Sequence, residues 1–410
     1  MPNKELLNKK HFCIFPWTHM HTWPNGNVYM CCTADPYAPM GNLNDGSKLS
    51  ELWNSDQMKR NRLKMLNDEY VPECARCYEI EASGGISLRQ DFTKNLSHHL
   101  DMVDMTNPDG SVDKLNLPYV DFRFSNLCNL RCRTCGPELS SKWGIDHAKL
   151  MNKPRSEHRV NLMKQTTSVE IFWDEIKEVL PTLEMVYFAG GEPLIMEEHY
   201  RLLDLLLKNN MTHVKLLYNT NFTNLIFKGK HISEYWNKFD FVTVGASLDS
   251  WQTRAEYIRK DLKWNTIEEN FATIKQQSPH VKIFVALTLS IFNFATLVEY
   301  HDYMVEKKFI DYDSLNINIL TDPIWYKPSC LPLEFRQKIA EKYQKKLEYL
   351  RDNRLCGDIM LGRWQLAINY ILSEYEPENF SSFVRLTNAM DNIRDEKFIE
   401  TFPELQEFFL

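Results

Sequence analysis

The sequence predicts an α/β fold, a partial (β/α)6 barrel with a small cysteine-rich module before it and a helical extension after it. Three observations carry this reading. From Tyr119 onward, six short β-rich runs alternate with stretches of helical spacing; eight of the ten cysteines fall before Gly136; and beyond Pro323 the alternation gives way to helix alone.

The β-rich runs lie at 119–125, 185–189, 214–218, 241–247, 281–289 and 315–320. Between them, stretches such as 197–209 and 266–277 place apolar residues at helical intervals, the pattern of βα units joined by right-handed crossovers. A parallel sheet follows, curved or closed. Eight units make a full TIM barrel, so six make a partial, TIM-like one. The segments 333–351, 363–374 and 382–392 read as helices. In front of the barrel, the polar stretch 97–117 contains the turn-forming run Asn107-Pro108-Asp109-Gly110-Ser111. The expected divisions are therefore 1–110, 111–323 and 324–410. Trp325, Trp364, Tyr370 and Tyr375 of the extension read as packing residues, and Cys330 and Cys356 as buried free thiols.

A chain of 410 residues has room for two or three domains. With 43% hydrophobic residues and no apolar run near the roughly 18 residues of a membrane span, no membrane segment is expected. The polar start Met1–Lys10 does not resemble a signal peptide, which predicts a cytoplasmic protein. A net charge of -7 gives no electrostatic reason to expect nucleic acid. In such a chain ten cysteines are read as thiolate ligands or catalytic groups before disulfides.

The run Cys128-Asn129-Leu130-Arg131-Cys132-Arg133-Thr134-Cys135 follows the first barrel strand, where parallel barrels present their active-site loops. Three thiolates on one short loop wrap a single cubane cluster and leave its fourth iron open to a small molecule. A structural zinc site wants four ligands, and no fourth is local. After the second strand, Gly190-Gly191-Glu192-Pro193 combines two glycines, free to adopt conformations closed to other residues, with a carboxylate. At later strand ends stand Asn219, Ser247, Asp249 and, farther on, Arg259. Near the N-terminus, Cys13, Cys31 (or its neighbour Cys32), Cys74 and Cys77 supply ligands for a second metal site. A turn at Pro24-Asn25-Gly26 would form a hairpin bringing Cys31 toward Cys13. By spacing alone, this second set suits zinc or an iron-sulfur cluster.

The Cys-x3-Cys-x2-Cys loop after the first of six βα units resembles the radical S-adenosylmethionine (radical SAM) superfamily. That resemblance implies a 4Fe-4S cluster on Cys128, Cys132 and Cys135, with S-adenosylmethionine chelating its open iron and cleaved to a 5'-deoxyadenosyl radical. Gly190, Gly191, Glu192 and Pro193 resemble the family's Gly-Gly-Glu-Pro motif, which holds the cofactor's amino group. The resemblance also implies ribose or methionine contacts from Asn219 and Ser247, and places Arg259 near the carboxylate. Thr134 stands where the family often has an aromatic residue. Cys13, Gly26, Cys31 and the pair Cys74 and Cys77 are similar to the SPASM and twitch modules, which implies one auxiliary 4Fe-4S cluster, here placed before the barrel. The implied partners are a peptide or protein substrate, or else a small-molecule metabolite, and an electron donor such as flavodoxin or ferredoxin. A non-catalytic zinc or iron-sulfur redox-sensing module is the alternative of a different class. Tyr218, Asp249 and Tyr257 lie near strand ends, but the sequence assigns no general acid or base.

Overall fold

The computed structural model of the chain describes residues 4–82 and 84–409, which pack as two compact units. The first takes in the described residues up to Asn126 together with Leu162–Leu217 and Lys238–Phe241. The second takes in Leu127–Asn161, Tyr218–Asn237 and the chain from Val242 onward.

Nine strands share one mostly parallel sheet. They are β1 (His19–Thr22), β2 (Asn27–Tyr29), β3 (Gly41–Asn42), β4 (Tyr119–Phe122), β5 (Met185–Phe188), β6 (Lys215–Thr220), β7 (Val242–Ala246), β8 (Lys282–Leu289) and β9 (Leu315–Ile319). Their order is β9-β8-β7-β6-β5-β4-β1-β2-β3. The six strands read from the sequence are β4 to β9, neighbours in chain order as repeated βα units require. The pairs β4–β5, β7–β8 and β8–β9 are parallel, and β6 runs from the first unit into the second.

In the first unit, strand alternation sorts the side chains onto two faces. Phe122 meets Phe172 of the helix Val169–Val179 at 5.4 Å, and Phe188 meets His199 of the helix Glu197–Lys208 at 4.6 Å. Asp121 and Tyr187, opposite one another in register, belong to the other face. The six-strand reading did not include β1, which pairs parallel to β4 with His19 opposite Tyr119 and His21 opposite Asp121. The expected hairpin follows, β1 antiparallel to β2. Gly26 takes φ 93° in the turn, and a Cβ there would meet Asn42 Oδ1 at 2.4 Å, so the position requires glycine.

In the second unit, helices Trp264–Gln277 and Leu297–Glu306 separate the strands, and Leu333–Asp352, Asp358–Ile371 and Glu378–Arg394 form the extension. Trp364 and Cys330 are buried, as read from sequence. Tyr375 departs from that reading at 46% exposed, because it lies past the end of Asp358–Ile371, and Cys356, between two helices, is only half-buried. Among the described residues no helix is long and apolar enough to cross a membrane.

Several histidines are buried without becoming cations. Burial holds His19 down to about 4, against the pull of Asp121, and holds His199 and His301 down to about 3. Each folded value lies below the ordinary 6.5, so the unfolded chain takes up these protons first. Their contribution to stability is complete above that value and is lost as pH falls from it toward the folded values. Urea denaturation at about pH 7 and about pH 5.5 should therefore show falling stability. His199→Leu should flatten the fall by roughly 1 kcal/mol; an unchanged slope would mean that His199 protonates in the fold without penalty.

Candidate functional site

The three-cysteine loop lies in the second unit, with Cys128 and Cys132 buried and Cys135 half-buried. Its backbone is fixed at several points. Residues Arg131–Cys132 pair antiparallel with Arg259–Lys260, placing Arg259 opposite Cys132. Trp143 Nε1 donates to the Cys132 carbonyl at 2.7 Å, Ser140 Oγ donates to the Leu130 carbonyl at 2.6 Å, and Cys128 N–H donates to Ser141 Oγ at 3.3 Å.

Two arginines inside the loop anchor it to the C-terminal extension. Arg133, whose side chain is fully buried, donates to Asp391 Oδ1 at 2.5 Å and Glu396 Oε2 at 2.7 Å, and its guanidinium lies 3.8 Å from the Tyr257 ring. Arg131 donates to Asp146 Oδ1 at 2.8 Å. The other oxygen of Asp146 accepts from Arg394 Nε at 3.0 Å, while Arg394 Nη2 donates to the Arg131 carbonyl at 2.7 Å. Charge at both loop positions was visible in the sequence. The partners of Arg133, some 260 residues downstream, carried no local signal.

Of the strand-end residues, Arg259 reaches the loop. Its Nη1 lies 3.7 Å from Cys132 Sγ, and its Nε pairs with Asp249 Oδ2 at 2.9 Å. Cys132 is lowered to about 7, first because Cys135 hydrogen-bonds to its sulfur and then because the Arg259 charge outweighs part of the burial. The Cys135 thiol, which supplies that bond, is pushed well up. Asn221, of the strand-end run Asn219-Thr220-Asn221, brings Nδ2 to 3.9 Å from Cys128 Sγ. Asn219 Oδ1 lies against Gly245, where a Cβ would approach it to 2.5 Å. Ser247 N–H donates to the Thr220 carbonyl at 2.7 Å. The three possible acid-base residues have structural partners: Asp249 holds Arg259 and accepts from Thr288 N–H at 2.9 Å, Tyr257 OH donates to Asp391 at 2.6 Å, and Tyr218 packs on Trp236.

The Gly190–Pro193 turn belongs to the first unit. Gly190 and Gly191 take φ 77° and 49°, and a Cβ on Gly190 would meet Arg123 Cβ at 2.6 Å, so both the conformation and the close approach exclude other residues. Glu192 is fully buried, and one carboxylate oxygen caps the following turn by accepting from Leu194 N–H at 3.0 Å. In the same unit, pairing of β1 with β4 creates a polar cluster that sequence reasoning missed. His21 Nδ1 lies 2.9 Å from Asp121 Oδ2, and Arg123 Nε lies 3.6 Å from Asp121 Oδ1. Burial raises the Asp121 carboxyl, but the charges of His21 and Arg123 overcome it and hold the group at about 2.

The N-terminal cysteines Cys13, Cys31, Cys74 and Cys77 are all buried in the first unit. Burial pushes the Cys13 and Cys31 thiols up to about 12 and raises Cys74, with neighbouring cysteines of the set adding to each rise. Thr33 Oγ1 stands 3.4 Å from Cys31 Sγ and 3.6 Å from Cys77 Sγ, one hydroxyl between two sulfurs. Cys32 is raised by burial and then by Asp121, so the neighbouring cysteines look into different surroundings. Among the described residues, only His98, His99 and Glu184 bring three or more His, Cys, Asp or Glu donors within 4.8 Å of one another.

Asp146 is fully enclosed between two arginines, so Asp146→Ala should leave the buried Arg394 facing an uncompensated gap, while Arg131 keeps its pair with Asp261 at 3.1 Å. A loss of about 3–5 kcal/mol is expected in urea denaturation, with faster amide hydrogen exchange over 130–135. Lys397→Ala, which removes an exposed ion pair, should leave stability close to that of the wild type. Equal effects of the two substitutions would contradict the anchoring role.

Comparison with known proteins gives no match among curated sequences. Solved structures with partial similarity include native anSMEcpe with bound AdoMet and Cp18Cys peptide, at 20% identity over 57% of this chain and 61% of that one, TM-score 0.38. Hexahistidine-tagged anSMEcpe with bound AdoMet is 21% identical over 57% and 61%, TM-score 0.41, and TYW1 with a lysine-pyruvate adduct is 16% identical over 52% and 68%, TM-score 0.26. The chain thus spans about three fifths of the length of the anSMEcpe structure named first. A family model matches directly at the N-terminus: residues 13–78, the segment carrying Cys13, Cys31, Cys74 and Cys77, match the SPASM iron-sulfur cluster-binding domain.

Proposed function

We propose that the protein is a radical SAM enzyme that modifies a residue of a peptide or protein. The observation that carries this reading is the anchored loop of Cys128, Cys132 and Cys135, with a guanidinium at one sulfur and an amide N–H at another. Cys128, Cys132 and Cys135 would hold a 4Fe-4S cluster, leaving one iron for S-adenosylmethionine. Cys13, Cys31, Cys74 and Cys77 would hold the auxiliary 4Fe-4S cluster, a role supported by the SPASM match. The peptide or protein substrate rests on that match as well, since such modules commonly accompany peptide modification.

The chemistry supplied by the cluster with bound S-adenosylmethionine is one-electron cleavage of a carbon–sulfur bond, giving methionine and a 5'-deoxyadenosyl radical that takes a hydrogen atom from the substrate. The protein's own residues prepare the place. Arg259 offsets negative charge at Cys132, and Asp249 fixes the Arg259 side chain. Asn221 offers an amide N–H toward Cys128. In the unit that carries the loop, Asn219 and Ser247 would be the polar groups for the cofactor's ribose or methionine part. An external one-electron donor of the flavodoxin or ferredoxin class is required.

Anaerobic purification with iron and sulfide counted should give about eight irons per chain, falling to about four in Cys128→Ser/Cys132→Ser/Cys135→Ser. With dithionite and S-adenosylmethionine, only the wild type should form 5'-deoxyadenosine. Absence of both loop iron and 5'-deoxyadenosine would reject the enzyme reading; zinc at the N-terminal cysteines would reject the auxiliary cluster alone. A further expectation concerns Thr33, whose hydroxyl faces two sulfurs. Thr33→Val should move the auxiliary cluster's reduction potential to a more negative value in a redox titration followed by electron paramagnetic resonance, because hydrogen bonds to sulfur stabilise the reduced state.

A further inference from the structure

We infer that His98, His99 and Glu184 form a binding site for a divalent transition-metal cation of the zinc class, sharing no residue with either cysteine set. His98 and His99 close the 3-10 turn Ser97–His99, and Glu184 immediately precedes β5. Both rings reach the Glu184 carboxylate: His98 Nε2 lies 3.0 Å from Oε2 and 3.3 Å from Oε1, and His99 Nε2 lies 2.9 Å from Oε1. First-row metal bonds of roughly 2.0–2.1 Å to imidazole imply neighbouring donors about 2.9 Å apart in octahedral geometry and about 3.4 Å apart in tetrahedral geometry. The observed separations fall within that range, so a cation could enter with small side-chain adjustments.

The plain alternative is a surface ion pair, and two features weigh against leaving it there. The imidazole rings are 4.1 Å apart, so two imidazolium charges would repel. Finally, the cluster opens onto a cleft of about 620 Å³ that Asn116, His213 and Lys215 also line. Asn116 is 8% exposed, and its Oδ1 is buried without a hydrogen-bond partner. Two imidazoles and one carboxylate suit zinc, cobalt, nickel or ferrous iron better than magnesium or calcium, and three protein ligands leave positions open toward the cleft.

The test is equilibrium dialysis of the tag-free, full-length chain, loaded anaerobically with iron and sulfide, against low-micromolar zinc. Iron and zinc are then counted per chain. Wild type should retain about one more zinc than His98→Ala and than Glu184→Gln, with iron unchanged. Because the reading is a difference between variants, it stands whatever metal the cysteines carry. Zinc should also raise Tm in wild type and in neither variant. Both replaced side chains are substantially exposed, so the variants should match wild-type Tm without zinc. Should either variant misfold, Glu184→Asp and His98→Asn give the same comparison with smaller changes. Equal zinc in wild type and variants, or no zinc in any of them, overturns the site.

Discussion

The second unit depends on keeping a loop of closely spaced, buried sulfurs in place. Neighbouring thiolates repel, and burial penalises each charge, so such a loop needs both a positive environment and a rigid frame. Arg259 supplies the charge at Cys132, and Asp249 orients it. Asp249 is itself held by its acceptance from Thr288 N–H and by Asn293, whose side-chain amide donates to the Asp249 carbonyl at 2.9 Å. Because Thr288 lies in β8, this chain of contacts carries the sheet's geometry to the cysteine loop.

The frame comes from the other end of the sequence. Arg131 and Arg133 point away from the sulfur problem and into Asp146, Asp391 and Glu396, while Arg394 closes the circuit on the loop backbone. This assigns work to a helical extension for which the barrel pattern had no account. Isolated buried ion pairs often contribute little net stability, but removing one member leaves a stranded charge at high cost. Such a network therefore specifies one loop position more than it adds stability.

The sequence made the barrel strands legible because β4 to β9 are short apolar runs alternating with stretches of helical spacing. It also exposed the cysteine sets and the Gly190–Pro193 turn, where residue type and spacing are local. It did not expose β1. His19-Met20-His21-Thr22 is short and polar, and reads as a loop until its pairing with β4 is known; only then do His21 and Asp121 come into register. The same limit hid the anchors at Asp391 and Arg394. An acidic or basic residue on an amphipathic helix looks like a solvated face until a distant arginine or aspartate is brought against it.

The two cysteine sets meet the penalty of burial in different ways. At the loop, the Arg259 guanidinium and the neighbouring thiol carry Cys132 below its ordinary value. In the first unit, burial dominates: Cys13 and Cys31 rise to about 12, with the Thr33 hydroxyl, a neutral donor, at Cys31. A metal centre bound there must itself provide the positive charge that makes thiolates favourable, because the surrounding protein offers little. Arg89 acts at longer range on Cys13, but its guanidinium is committed to Glu81 and to the Phe12 carbonyl. The loop is electrostatically prepared for anionic sulfur, whereas burial holds Cys13, Cys31 and Cys74 toward the neutral thiol.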